Sequence, residues 1–162
     1  MAERWFLKLD GIAGESNHVA HKAEIDVEAW SFGVSRDTEP SAGGGRGVGK
    51  PDFDDFHFVS RLSAASPPLF LACATGSHIK EALLSGLKQS ESAKGGEFLK
   101  YRLADVQVSS FHQSDADDDG APIDQYSLSY SKIEVTYTPT TASGKAGKSI
   151  KAGYDLKSAK KI

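Results

Sequence analysis

The chain has 162 residues, 39% hydrophobic and 25% charged, with a mean hydropathy of −0.37 and a net charge of −3. That length predicts one domain over residues 1–162, large enough to fold without disulfides or metal. The composition excludes a disordered chain, and the longest apolar stretch, Leu69 to Ala74, is far too short for a membrane span. Charge is unevenly spread: beyond residue 141 six lysines face only Asp155, a balance of +5, which leaves −8 for the rest. A basic segment docking on the acidic body, its own or a neighbour's, explains this better than nucleic-acid binding, because that segment has no arginine and only Tyr154 as an aromatic.

Taken in chain order, alternation dominates. Lys8 and Asp10 break the apolar start at Trp5-Phe6-Leu7, so no signal peptide is expected. Trp5, Leu7 and Leu9 share one face of a first strand. Ile25, Val27 and Ala29 alternate with Asp26 and Glu28 until Trp30, Ser31 and Phe32 reverse the phase. That parity sets small, polar Ser31 opposite Trp30 and Phe32, which anchor a core, so Ser31 is expected at the surface of a strand from Ile25 to Val34. Phe56 and Phe58 mark another strand. Ser66-Pro67-Pro68 offers a capping serine and tolerated prolines, and Gly76 a stop, which predicts a helix over 67–75 and then a strand from His78 to Leu84. Cys73, the only cysteine, is expected there as a buried, inert thiol. Tyr101 and Leu103, Val106 and Val108, then Tyr126 to Tyr137 and Ile150 to Leu156 supply the remaining strands, with phase slips at Ala104-Asp105 and Ser131-Lys132 that read as bulges. The predicted class is all-β with one short helix, as a β-barrel or tight sandwich.

Three local patterns suggest chemistry and fail on inspection. Gly44, four residues and Gly49-Lys50 approach a phosphate-binding loop, but Pro51 stands where a hydroxyl is required and a strand follows instead of a helix. Asp115 to Gly120 resembles half a calcium loop, but Tyr126 occupies the place of the closing glutamate. Asp54, Asp55, His57 and Ser60 suggest a triad, yet odd spacing sends His57 and Ser60 to opposite faces. The five histidines lack the partners of a metal site and are expected as isolated surface or edge residues, so no catalytic residue, metal or cofactor is predicted. The glycine-rich stretch Gly43, Gly44, Gly45, Arg46, Gly47, Val48, Gly49, Lys50 is too flexible to hold one shape alone and reads as an arm that orders on another subunit.

Several strings in order resemble the haemolysin-coregulated (Hcp) proteins of bacterial type VI secretion. They are Lys8-Leu9-Asp10-Gly11-Ile12-Ala13-Gly14-Glu15-Ser16, Ile25 through Gly33, the glycine loop ending at Gly49-Lys50, Ser66-Pro67-Pro68-Leu69 through Ala72-Cys73-Ala74-Thr75-Gly76-Ser77-His78, Lys132-Ile133-Glu134-Val135-Thr136-Tyr137-Thr138-Pro139 and Gly153-Tyr154-Asp155-Leu156-Lys157. The resemblance implies two sheets closed into a compact barrel with one helix. It also implies a non-enzymatic tube subunit of stacked hexameric rings, with sheath, baseplate and spike proteins as partners. Such a subunit is made in the bacterial cytoplasm and exported without a signal peptide to the medium or a target cell. It carries or chaperones effector proteins in the ring lumen, which places Ser31 against cargo and residues 43–50 in ring stacking. Neither nucleic acid nor membrane insertion is implied, and the end soon after residue 157 reads as a member without a fused toxin. The competing class is a secreted β-sandwich binding calcium or carbohydrate, with a small hydrolase third.

Overall fold

The computed structural model describes residues 3–38, 49–88, 96–115, 120–141 and 143–162. Among these are β1 (Glu3–Leu9), β2 (Ile25–Val27), β3 (Ala29–Ser31), β4 (Val34–Ser35), β5 (Asp52–Phe53), β6 (Phe56–Arg61), α1 (Ser66–Thr75), β7 (His78–Lys88), β8 (Glu97–Ser114), β9 (Ile123–Ser129), β10 (Lys132–Tyr137), β11 (Ile150–Asp155) and β12 (Lys160–Lys161). Every ladder between them is antiparallel. The class is therefore mostly β with one short helix, as the alternation predicted.

The expected closed barrel is not found. Hydrogen bonding runs β12-β11-β10-β8-β7-β1-β2, with a branch from β8 through β9 and β6 to β3. The segment from Ile25 to Ser31 belongs to both ends: residues 25–27 pair with β1, residues 29–31 pair with β6, and the Glu28 amide donates to the Val59 carbonyl at 2.8 Å. The ends are thus joined along the chain at Glu28, not by a ladder, and that change of partner is the phase reversal seen in the sequence.

Two other expected slips also have a common cause. Asp105 adopts a left-handed φ of 54°, which switches face parity between Leu103 and Val106 without inserting a residue against β7. Across the sheet, Tyr130 and Ser131 separate β9 from β10, and the Ser131 hydroxyl donates to the Asp105 carboxylate at 2.8 Å. The bulges themselves lie elsewhere, at Gly86/Leu87 and Val108/Ser110.

The core joins Leu7, Ile25, Val27, Phe56, Phe58, Leu103, Val106, Tyr126 and Leu128 with the inner side of α1, Leu69 and Ala72. β1 is also buried on its second face. Phe6 is fully enclosed beneath His21, whose ring stacks at 4.8 Å and 4°, with His18 tilted against it at 5.1 Å. His18 and His21 are therefore not isolated surface residues: His21 is buried, with Nδ1 3.0 Å from the Glu24 carboxylate. β7 runs four residues past its expected end because Gly86 leaves room for the Trp5 ring, an approach that breaks the alternation.

At α1 the N-cap is Ala65, with no side-chain cap. Ser66 is not the cap; it is buried and donates its hydroxyl to the buried Asp124 carboxylate, tying the helix start to β9. Gly76 ends the helix in the left-handed region at φ 67°. Cys73 is half-buried, more open than expected. The basic C-terminal segment does dock on the chain's own body, through Lys157 to Asp105 at 3.5 Å and Lys151 to Glu134 at 3.3 Å.

Candidate functional site

One four-stranded layer, β3-β6-β9-β8, separates an aromatic core face from a small, polar outer face. Inward, Trp30 and Phe32 each stack on Phe56, Phe56 on Phe58 and Phe58 on Tyr126, at 5.0 to 5.5 Å. Burial holds the Tyr126 phenol well above the ordinary tyrosine range. Outward, register aligns a single row straight across the layer: Ser31 opposite His57, His57 opposite Ser127, Ser127 opposite Ser110. A second row is Ala29, Val59, Gln125 and His112. Ser31 and His57 are both exposed.

The bulge between Val108 and Ser110 shapes this face. An extra residue on one strand sets two side chains against a single partner. Here Ser109 and Ser110 both reach Ser127, at 2.7 and 2.5 Å, and Ser109 donates onward to Asp55 at 2.6 Å. The hydroxyls thus satisfy one another, and at the far edge Arg61 donates to Glu28 at 2.8 Å. The face carries small polar side chains, exposed at Ser31 and His57 and buried at Ser127, and its hydroxyls are hydrogen-bonded to one another.

Ser60 and His57 are not brought together as a hydrolytic pair. Ser60 lies on the core side, buried and bonded to the Tyr126 hydroxyl at 2.9 Å, while His57 faces out, as the odd spacing required. Among the described residues no hydroxyl bonds the His57 ring, and no group of three His, Cys, Asp or Glu side chains could hold a metal. Of the glycine arm, Gly43, Gly44, Gly45, Arg46, Gly47 and Val48 lie outside the described residues, as do 116–119 of the acidic loop. Gly49 and Lys50 are described and lead into β5, where a Cβ on Gly49 would meet the Asp37 carbonyl oxygen at 3.3 Å. The reading of the sequence singled out Ser31 and missed His57, Ser109, Ser110 and Ser127. The signal available for them was a run of alternating polar residues in Gln107 to His112, interrupted by the doubled serine.

Residues 6–137 match the family described as "Type VI secretion system effector, Hcp". The chain belongs to the Hcp family. It is 32% identical to protein hcp1 of Pseudomonas aeruginosa over 158 residues, covering 97% of each. Among solved structures it is similar to Hcp1 from Salmonella typhimurium, with a TM-score of 0.80, 32% identity and full coverage of both chains. It is also similar to a structure titled as a type six secretion system protein, with a TM-score of 0.92, 27% identity and coverage of 99% and 100%. By the family match this chain is a member of the type VI secretion system effector family, Hcp. No helix among its described residues is long and apolar enough to cross a membrane.

Proposed function

We propose that this Hcp chain, folded as one domain, is a non-enzymatic, cofactor-free subunit of hexameric rings that stack into the secretion tube, with the Ser31 face lining the lumen and holding effector proteins in transit. The observation that carries this reading is the compensated hydroxyl face of β3-β6-β9-β8. A lumen must bind cargo weakly enough to release it, and a face of small, mutually hydrogen-bonded polar side chains supports that. A chain of this length has a radius of gyration of about 15 Å, so its own interior is filled by side chains and protein cargo must sit between subunits. Residues 43–50 act as the arm between stacked rings, and the sheath, baseplate and spike meet the assembled tube. Synthesis in the bacterial cytoplasm and export of the assembled protein complete the reading.

Native mass measurement and negative-stain microscopy test the ring, and a chain that stays monomeric at high micromolar concentration would refute it. Ser31→Gln enlarges an exposed side chain at the β3 edge of the face without touching the core. It should preserve rings and reduce effector recovered in a pull-down; mutant rings that hold every tested effector like the parent would remove Ser31 from the cargo surface.

A further inference from the structure

An open groove of about 260 Å³ lies between the β4–β5 hairpin and the outer strands β10 and β11, lined by Phe32, Val34, Phe53, Tyr101, Val135 and Ala152. Its wall includes Val34, which is 53% exposed. Elsewhere on the chain, α1 is apolar on its outer side as well as its inner one. Leu69 and Ala72 are buried, Phe70 and Leu71 are 59% and 58% exposed, and no charged residue stands in the first or last turn. A helix apolar all round is one whose second face has a partner.

Among the described residues, this helix and this groove of one copy do not meet. The groove borders Tyr101 in the first half of β8, whereas α1 packs on the second half, where Phe70 meets Phe111 edge-on at 6.4 Å. Ten residues of strand, about 33 Å, separate Tyr101 from Phe111. Each feature also adjoins an unpaired strand edge. Among the described residues β3, which runs into Phe32, pairs with β6 alone, and β8 beyond Gln107 has β9 on one side and no strand on the other. Unpaired edges of this kind are templates for another chain. Knob and groove thus sit at opposite ends of the β3-β6-β9-β8 layer, the arrangement of a head-to-tail interface.

We propose that α1 of one copy seats Phe70 and Leu71 in the Phe32–Phe53–Tyr101 groove of the next, a helix-in-groove contact repeated around the ring. This rests on the ring reading above and assigns its side-to-side interface.

Disulfide trapping tests it in a Cys73→Ser background. Leu71→Cys and Ala152→Cys, mixed as two singly substituted chains and oxidised, should give covalent dimers. Each alone should give none, and the doubly substituted chain should give a ladder of multimers. In a second arm, Phe70→Ser with Leu71→Ser leaves the buried helix face intact, so far-UV circular dichroism should match the parent while association weakens about tenfold or more. Rings that form normally in the Cys73→Ser parent but yield no mixed dimer overturn this interface and leave the ring reading standing. So does a single variant that cross-links to itself as well as to the other, because that contact would be isologous. A parent that remains monomeric overturns both.

Discussion

Gly86 has the shortest side-chain approach among the described glycines, and its consequence can be worked from distances. A Cβ built at Gly86 would lie 2.3, 2.7 and 2.8 Å from three atoms of the Trp5 ring. Carbon atoms pack best at about 3.5–4.0 Å, so Gly86→Ala demands that the indole move by more than 1 Å. It has little freedom to do so: Trp5 stands edge-on to Trp30 at 5.1 Å and to Phe98 at 5.6 Å. Overpacking costs roughly 1–3 kcal/mol, and each aromatic pair disturbed adds about 0.5–1.5 kcal/mol. Replacing glycine by alanine in a strand returns about 0.5–1 kcal/mol of backbone entropy. The expected net loss is about 3 kcal/mol. With a urea slope of about 2 kcal/mol/M, the unfolding midpoint should fall by about 1.5 M at unchanged slope. Protein concentration must be matched throughout, because assembly raises apparent stability. The decisive control is a double-mutant cycle with Trp5→Ala, which removes the obstructing ring. In that background Gly86→Ala should be neutral or slightly stabilising. An equal loss in both backgrounds, or no loss in the parent, would refute the steric account.

The same contact explains where the sequence stopped being legible. Alternation identified the strands because period two with aromatic and β-branched residues has few competing readings, and it located the reversal at Trp30 correctly. It failed at Ser85-Gly86, where the glycine is dictated by a tryptophan 81 residues earlier, a pairing that a local pattern does not carry. It failed at Phe6 because a strand buried on both faces does not alternate; the cover comes from the loop bearing His18 and His21, held by Gly14, where any Cβ would meet the Glu24 carbonyl oxygen at 2.5 Å. Ser66 looked like a cap because serine there usually is one, but its hydroxyl was claimed by Asp124, 58 residues away. Closure of a barrel is a property of which strands pair, and Glu28 shows how one residue can pass a strand between partners without closing the ladder. At the candidate site, parity alone placed Ser31 at the surface, while its neighbours in the row needed the register of four strands.

Three further outcomes are expected. A calcium chelator should leave the melting temperature unchanged, since an ion bound only to the folded state would raise it; a fall of several degrees would assign a ligand to Asp115–Gly120. Burial raises the phenols of Tyr126 and Tyr130, so their contribution to stability is intact below the ordinary tyrosine value of about 10 and is lost as pH rises above it. The rise in absorbance at 295 nm from Tyr126 and Tyr130 should therefore come only with unfolding, and ionisation of both with the fold intact would contradict this. Asp105 gives the acid counterpart. Its carboxyl is held below the usual range first by the Ser131 hydroxyl, then by Lys157 and His78. A depressed folded value means the contribution is present above about pH 4 and disappears as pH falls through that value. Asp105→Asn isolates the charge, because asparagine tolerates the left-handed φ of 54° that most residues resist. Parent and variant should differ in urea midpoint near neutrality and converge toward pH 2. Added salt should narrow the neutral-pH difference only in part, since it screens Lys157 but leaves the 2.8 Å hydrogen bond from Ser131 in place. Midpoints that stay parallel from pH 2 to 6 would show that the parity switch at Asp105 depends on backbone geometry alone.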